Sequence, residues 1–179
     1  ARIFNAAAAL GTKASELAQG CDTLMFCLSK GLAAPVGSML LGGRDLIAEA
    51  VRARKLFGGG MRQVGVLAAA GIVALTEMVE RLAEDHVRAR RLAEGLATIP
   101  AVEIDPARVH TNILVFRLRS DKVPGKAAVT PSQRFVDGMK ERGVLLGAFG
   151  ATDVRMVTHY EIDDAAVEAT LRAASAVLR

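Results

Sequence analysis

The sequence predicts an α/β chain in two parts, and three observations carry that expectation. Short apolar runs of strand length alternate with longer stretches of helical periodicity. Hydrophobic residues make up 51% of the 179 positions but aromatic residues only 4%, so the core must rest on Ala, Leu, Val and Ile. Side chains of that kind suit helices packed closely on one another or on a parallel sheet. From about residue 79 onward, the pattern settles into the strand, helix, strand, strand, helix order of a small α+β domain. The expected division is therefore 1–78 and 79–179.

The elements follow in order. Ala1-Arg2-Ile3-Phe4-Asn5 leads into an Ala-rich helix with no initiator methionine and no N-cap signal, and reads as a start in the middle of a domain. Lys13 to Gln19 fits a short helix closed by Gly20. Asp22 to Leu28 (DTLMFCL) has the length and composition of a buried strand. The loop Ser29-Lys30-Gly31-Leu32 follows, then Pro35 and Gly37 introduce a second buried strand, Ser38 to Leu41, ended by Gly42-Gly43. Two buried strands joined by a polar, glycine-bearing loop are a common ligand position in α/β proteins.

Arg44 to Phe57 has helical spacing, with Leu46, Ile47, Ala50, Val51 and Leu56 largely on one face. Gly58-Gly59-Gly60 interrupts it. Met61 to Leu75 resumes as an apolar helix expected to be buried, and an amphipathic helix runs from Glu77 to Ile99 with Leu82, Val87, Leu92 and Leu96 as its stripe. Pro100 stops it. Val102 to Ile104 and Thr111 to Leu118 read as strands, and Ser120 to Thr130 as a polar connection. Pro131 to Arg142 reads as a helix capped by Ser132 and closed by Gly143. Strands are expected at Val144 to Leu146 and Val154 to Thr158. The final helix, Asp163 to Leu178, opens on two acidic residues where the helix dipole favours them.

Composition excludes several function classes. The net charge is +4, from 23 basic and 19 acidic residues, and the arginines are spread along the chain without interleaved aromatics. Nucleic-acid binding is not expected from such a pattern. The two cysteines, Cys21 and Cys27, are too few for a disulfide framework and wrongly spaced for a CxxC motif. They read as buried free thiols of a reducing cytosol. His86, His110 and His159 lie far apart in sequence, so no metal site is expected. No apolar stretch approaches the ~20 residues of a membrane span and no signal peptide is present, which points to a cytoplasmic protein.

Four basic positions carry candidate chemistry. Lys30, at the end of an apolar strand and between Ser29 and Gly31, suits a Schiff-base lysine, because burial would disfavour its ammonium form. A solvated lysine snorkelling from a strand end is the alternative, and the residue pattern leaves both open. The glycine run 58–60 with Arg62 offers free N–H groups and a permanent charge to an anion, or is a flexible loop with solvated basic residues. Lys55 lies just before it. Arg155, between Val154 and Met156, points outward by strand alternation. Arg88, Arg90 and Arg91 read as a solvated helix face with Glu84 and Glu94 as neighbours.

The segment Asp22-Thr23-Leu24-Met25-Phe26-Cys27-Leu28-Ser29-Lys30-Gly31-Leu32, with Ala34-Pro35-Val36-Gly37-Ser38, closely resembles the cofactor-lysine segment of low-specificity L-threonine aldolases. The resemblance continues through Lys55-Leu56-Phe57-Gly58-Gly59-Gly60-Met61-Arg62-Gln63, Val66 to Ala70, Glu84-Asp85-His86, Thr111-Asn112-Ile113 and Val154-Arg155-Met156-Val157-Thr158-His159. It implies the second half of a pyridoxal-phosphate-dependent transferase-type large domain, followed by a small α+β C-terminal domain. It further implies pyridoxal 5'-phosphate as cofactor, carried by Lys30. Lys55 and Arg62 would lie near the cofactor phosphate, often that of a neighbouring subunit.

Ala1 to Ala6 matches the end of the family's Asp-Gly-Ala-Arg motif, which makes Arg2 a cofactor and substrate residue. Arg155, with Arg2, would hold the α-carboxylate of a small amino-acid substrate. The implied reaction is cleavage of threonine or allo-threonine to glycine and acetaldehyde. The implied partners are an N-terminal segment of the same enzyme and further copies in a dimer or tetramer, without nucleic acid or membrane. That segment would bring the acidic partner of the pyridine nitrogen, the phosphate loop and the histidine stacked on the ring. His86 and His159 receive no catalytic role. The alternatives are another lyase or hydroxymethyl-transferring enzyme of the superfamily, or a non-catalytic truncated assembly module.

Overall fold

The structure, a computed structural model, describes residues 1–125 and 128–179. Residues 126–127, part of the polar connection read from Ser120 to Thr130, lie outside the described residues. The chain divides into two compact units, Ala1–Leu82 and Ala83–Arg179.

Unit one contains α1 (Ile3–Leu10), α2 (Ala14–Leu17), β1 (Thr23–Cys27), β2 (Ser38–Gly42), α3 (Arg44–Leu56) and α4 (Gly65–Thr76). β1 and β2 form an antiparallel hairpin in which Thr23 pairs with Gly42 and Cys27 with Ser38. Its core gathers Phe26, Leu28, Leu32, Ala34, Ala74 and Leu82. The Phe4 and Phe26 rings meet edge to face, centroids 5.2 Å apart at 85°, the geometry that the ring quadrupoles favour.

Burial in this unit differs from the sequence reading. Every residue of β2 is exposed, and of β1 only Phe26 is buried. A two-stranded hairpin has few neighbours to cover its faces, so apolar composition alone does not bury it. The helix read from Met61 begins at Gly65, because Gln63 takes a left-handed φ of 49° that breaks the helical path. It is apolar on all sides, yet only Gly71 and Ala74 are buried, while Val66 is 69% and Ile72 63% exposed. α3 likewise buries none of its residues.

Unit two contains α5 (Leu82–Ala97, opening on the last residue of unit one), β3 (Val102–Glu103), β4 (Ile113–Leu118), α6 (Pro131–Lys140), β5 (Gly147–Ala148), β6 (Asp153–Val157) and α7 (Asp164–Val177). The strands form one sheet in the order β3-β4-β6-β5, with every pairing antiparallel. Among the described residues neither unit has a parallel pair. Alternation sends Leu114, Phe116 and Leu118 of β4, and Val154 and Met156 of β6, into the core against Leu92, Leu96, Phe135, Met139 and Val167. α7 approaches α5 at Gly95, where a Cβ would lie 2.5 Å from Leu171 Cδ1.

Local sequence explains most boundaries, and corrects four readings. Thr130 caps α6, accepting the Gln133 amide at 3.3 Å, while buried Ser132 donates instead to the Ala151 carbonyl at 3.0 Å. Pro131, whose fixed φ fits the first helical position, sets that register. The strand expected at 144–146 lies at Gly147–Ala148, because the Val144 amide is still bonded back to Met139 of α6 at 3.0 Å. The helix expected from Glu77 begins at Leu82. Val87 is 66% exposed, and Ala89 and Ala93 complete the buried stripe with Leu92 and Leu96. Asp163 caps α7 by accepting the Ala166 amide at 2.7 Å. The arginine face is ion-paired: Arg88 to Glu84 at 3.1 Å and Asp164 at 3.3 Å, Arg90 to Glu94 at 3.3 Å, and Arg91 to Glu168 at 2.7 Å.

Two outcomes test this packing. Phe135 is fully buried, with its ring edge to face on Phe116 at 5.8 Å. Phe135→Ala should cost about 3–5 kcal/mol by the lost transfer energy and the cavity left behind, read from denaturant unfolding of unit two. Burial holds the His86 imidazole below its ordinary value, against the raising effect of Asp85. The unfolded chain therefore takes up the proton first, so His86's contribution is complete above the ordinary histidine range near ~6.5 and is lost as pH falls below it. His86→Gln should flatten that fall in the thermal midpoint.

Candidate active site

The Lys30 loop joins the two strands of unit one. The Leu28 amide donates to the Gly37 carbonyl at 2.9 Å, and the Ala34 amide returns to the Leu28 carbonyl at 3.1 Å. Inside that closure the Ala33 amide donates to the Lys30 carbonyl at 2.9 Å, and Ala33 turns the chain with a φ of 60°. Leu28, Leu32 and Ala34 are buried, while Ser29 and Lys30 are exposed. The loop is thus anchored by its apolar residues and presents its lysine. Of the two settings the residue pattern left open for Lys30, unit one shows the exposed one, on an uncovered hairpin.

Gly31 is needed where it stands. A Cβ there would lie 2.6 Å from Asn5 Oδ1 and 3.1 Å from Leu82 Cδ2, and Asn5 itself is only 3% exposed. α1 therefore packs directly under the residue beside Lys30. The Cys27 amide donates to the Ala1 carbonyl at 3.0 Å, which ties half-buried Arg2 to the strand end that leads to Lys30.

The cysteines are not buried as expected: Cys21 is exposed and Cys27 half-buried, again because the hairpin is open. Across the hairpin the Ser38 hydroxyl donates to Cys27 Sγ at 3.7 Å. That hydrogen bond, helped by the charge of Lys30 and opposed by partial burial, holds the Cys27 thiol below its ordinary value. Lys30 and Cys27 therefore share one electrostatic environment. Neither Asn5 nor the Cys27–Ser38 pair was singled out from sequence. The hairpin register, once drawn, places Cys27 opposite Ser38, whereas nothing in the residue pattern places Asn5 against Gly31.

Lys55 and Arg62 flank the end of α3, and both are exposed. Gly59 turns the chain back, its amide donating to the Arg54 carbonyl at 2.8 Å. No hydrogen bond or ion pair among the described residues joins Lys55 or Arg62 to Lys30. Arg155 belongs to unit two, at the centre of β6, paired with Val115 on one side and Gly147 on the other. It is half-buried and shares a face with Asp153 and Val157, opposite Val154 and Met156. A Cβ at Gly147 would meet nothing within 4 Å. Among the described residues no His, Cys, Asp and Glu cluster could hold a metal ion, and no helix is long and apolar enough to cross a membrane.

Unit one presents a lysine from an anchored loop and unit two an arginine from mid-strand, and the chain belongs to the beta-eliminating lyase family, whose model matches residues 1–119. It is 46% identical over 162 residues to the low specificity L-threonine aldolase of Escherichia coli (strain K12), covering 90% of this chain and 44% of that protein. Low-specificity L-threonine aldolase 1 of Arabidopsis thaliana is 38% identical over 171 residues, covering 96% of this chain and 46% of that protein. A solved structure from Listeria monocytogenes, provisionally named an L-allo-threonine aldolase, superposes on 99% of this chain and 50% of its own with a TM-score of 0.75 at 18% identity. The fold expected from sequence, the second half of a transferase-type large domain followed by a small α+β domain, is the fold found. The chain spans about half the length of the proteins it matches.

The electrostatic link is open to test. Ser38→Ala should shift the alkylation profile of Cys27 to higher pH, with Cys21 as internal reference, read by mass spectrometry after timed iodoacetamide pulses. An unmoved profile would contradict the hydrogen bond as the main cause.

Proposed function

We propose that this chain is the cofactor-lysine half of a pyridoxal 5'-phosphate enzyme that cleaves threonine or allo-threonine to glycine and acetaldehyde. The placement of Lys30 carries this reading most directly. Its loop is closed by backbone hydrogen bonds and held down by buried Leu28 and Leu32. Its neighbour Gly31 packs against Asn5 with no room for a side chain. A fixed backbone beneath an exposed amine fits a covalently held aldehyde cofactor. The names of the Escherichia coli and Arabidopsis relatives support the choice of reaction.

The residues take these roles. Lys30 Nζ would hold the cofactor covalently. Arg155 receives the α-carboxylate in the two-pronged geometry that guanidinium favours, and Arg2 shares that task and borders the cofactor. Held in this way, the substrate would be oriented for cleavage of its Cα–Cβ bond. Pyridoxal phosphate, when bound, supplies the electron sink for the carbanion left at Cα. A base outside this chain, or a water it orders, takes the β-hydroxyl proton as acetaldehyde departs. Lys55 and Arg62, beside the 58–60 glycine run, offer permanent charge and free N–H groups to the cofactor phosphate. Their position on an exposed segment fits a site completed by a neighbouring copy, in a dimer or tetramer.

The family name favours a second reading, β-elimination, which would keep the same lysine. Products separate the two. With threonine, the full-length protein should release glycine and acetaldehyde, and Lys30→Ala should abolish that release. Recovery of 2-oxobutyrate and ammonia instead would sink the aldolase reading. Gly31→Ala should also lower cofactor occupancy, read by absorbance of the purified protein, because its Cβ would collide with Asn5.

A further inference from the structure

Unit two holds a buried polar cluster that the roles above do not use. Thr158, just past β6, and Asn112, just before β4, are each 1% exposed. The Thr158 amide donates to the Asn112 carbonyl at 3.0 Å, and the Asn112 side-chain amide donates back to the Thr158 carbonyl at 2.8 Å. The Thr158 hydroxyl donates to the Asp85 carbonyl in the first turn of α5 at 2.7 Å. The amide, carbonyl and hydroxyl of one residue are thus all engaged inside the core, where an unmade bond is costly.

The position of the cluster gives it a consequence. Ile113 pairs with Val157, so 112 and 158 are the next rung of the β4–β6 ladder, closed by a side chain and tied to a helix. Strand side chains alternate, and a slip of one residue would carry Arg155 to the face of Val154 and Met156. The neighbour on the other side, β5, is only two residues long and gives β6 little hold. The register of β6 therefore depends on β4 and on the rung at 158, three residues from Arg155. We propose that Thr158, with Asn112 as its partner, is a positioning residue: it pins the end of β6 to β4 and α5, and so aims the Arg155 guanidinium at a substrate carboxylate.

This rests on the carboxylate role given to Arg155 above, and the test separates the two. In the full-length protein with cofactor bound, Thr158→Val keeps the shape and removes the hydroxyl. It should raise KM for threonine about tenfold while lowering kcat by less, the signature of lost substrate binding. Thr158→Ser, which restores the donor, should return KM to near wild type. Asn112→Ser, a milder removal of the same clamp, should show the same split. A binding titration with glycine, read from the cofactor absorbance, should show a matching loss of affinity without turnover. If Thr158→Val and Asn112→Ser lower the thermal midpoint but leave KM and glycine affinity unchanged, the cluster only stabilises the fold and the proposal is overturned. Arg155→Lys, measured alongside, should raise KM at least as much. If it does not, the carboxylate assignment itself fails, and the positioning role with it.

Discussion

Burying Leu28 and Leu32 on either side of an exposed Lys30 is the constraint on which the candidate site depends. Each leucine stabilises the loop by about 1.5–3 kcal/mol through its buried surface. The Leu28–Gly37 hydrogen bond adds about 1 kcal/mol net. Burial therefore holds the loop down, and the hydrogen bonds decide its shape. Between them they leave the lysine backbone almost no freedom while its side chain stays open. The left-handed turn at Ala33 and the close contact of Gly31 with Asn5 follow from drawing both leucines into one small core.

Unit two solves a related problem with different means. There a cation must stand at the middle of a strand whose alternate residues, Val154 and Met156, are drawn into the core. Alternation alone puts Arg155 on the opposite face, beside a two-residue neighbour whose Gly147 pairs with it. The two units thus each present a basic group from a frame whose apolar residues fix the backbone. The Escherichia coli and Arabidopsis relatives are about twice the length of this chain.

Much of this was legible in the sequence, and the parts that were not share a cause. Spacing and punctuation located β1, β2, α3 and α7 to within about one residue at each end, because Gly, Pro and Asp residues mark those ends locally. The family resemblance singled out the Lys30 segment. Burial was misread at β1, β2, α4 and both cysteines, since burial depends on what lies against a surface and not on the surface alone. Ser132 was read as a cap because serine favours that position, but Pro131 at the first helical turn moves the cap to Thr130. The contacts of Asn5 with Gly31 and of Thr158 with Asp85 join residues far apart in sequence, and no local pattern announces them.

The most direct measurement is borohydride reduction of the full-length protein purified with pyridoxal phosphate, followed by peptide mapping. A pyridoxyl adduct on Lys30 is the expected result, and it would place the cofactor where the anchored loop presents an amine. An adduct on another lysine, with Lys30 unmodified in a protein that retains its cofactor absorbance, would contradict the account at its centre.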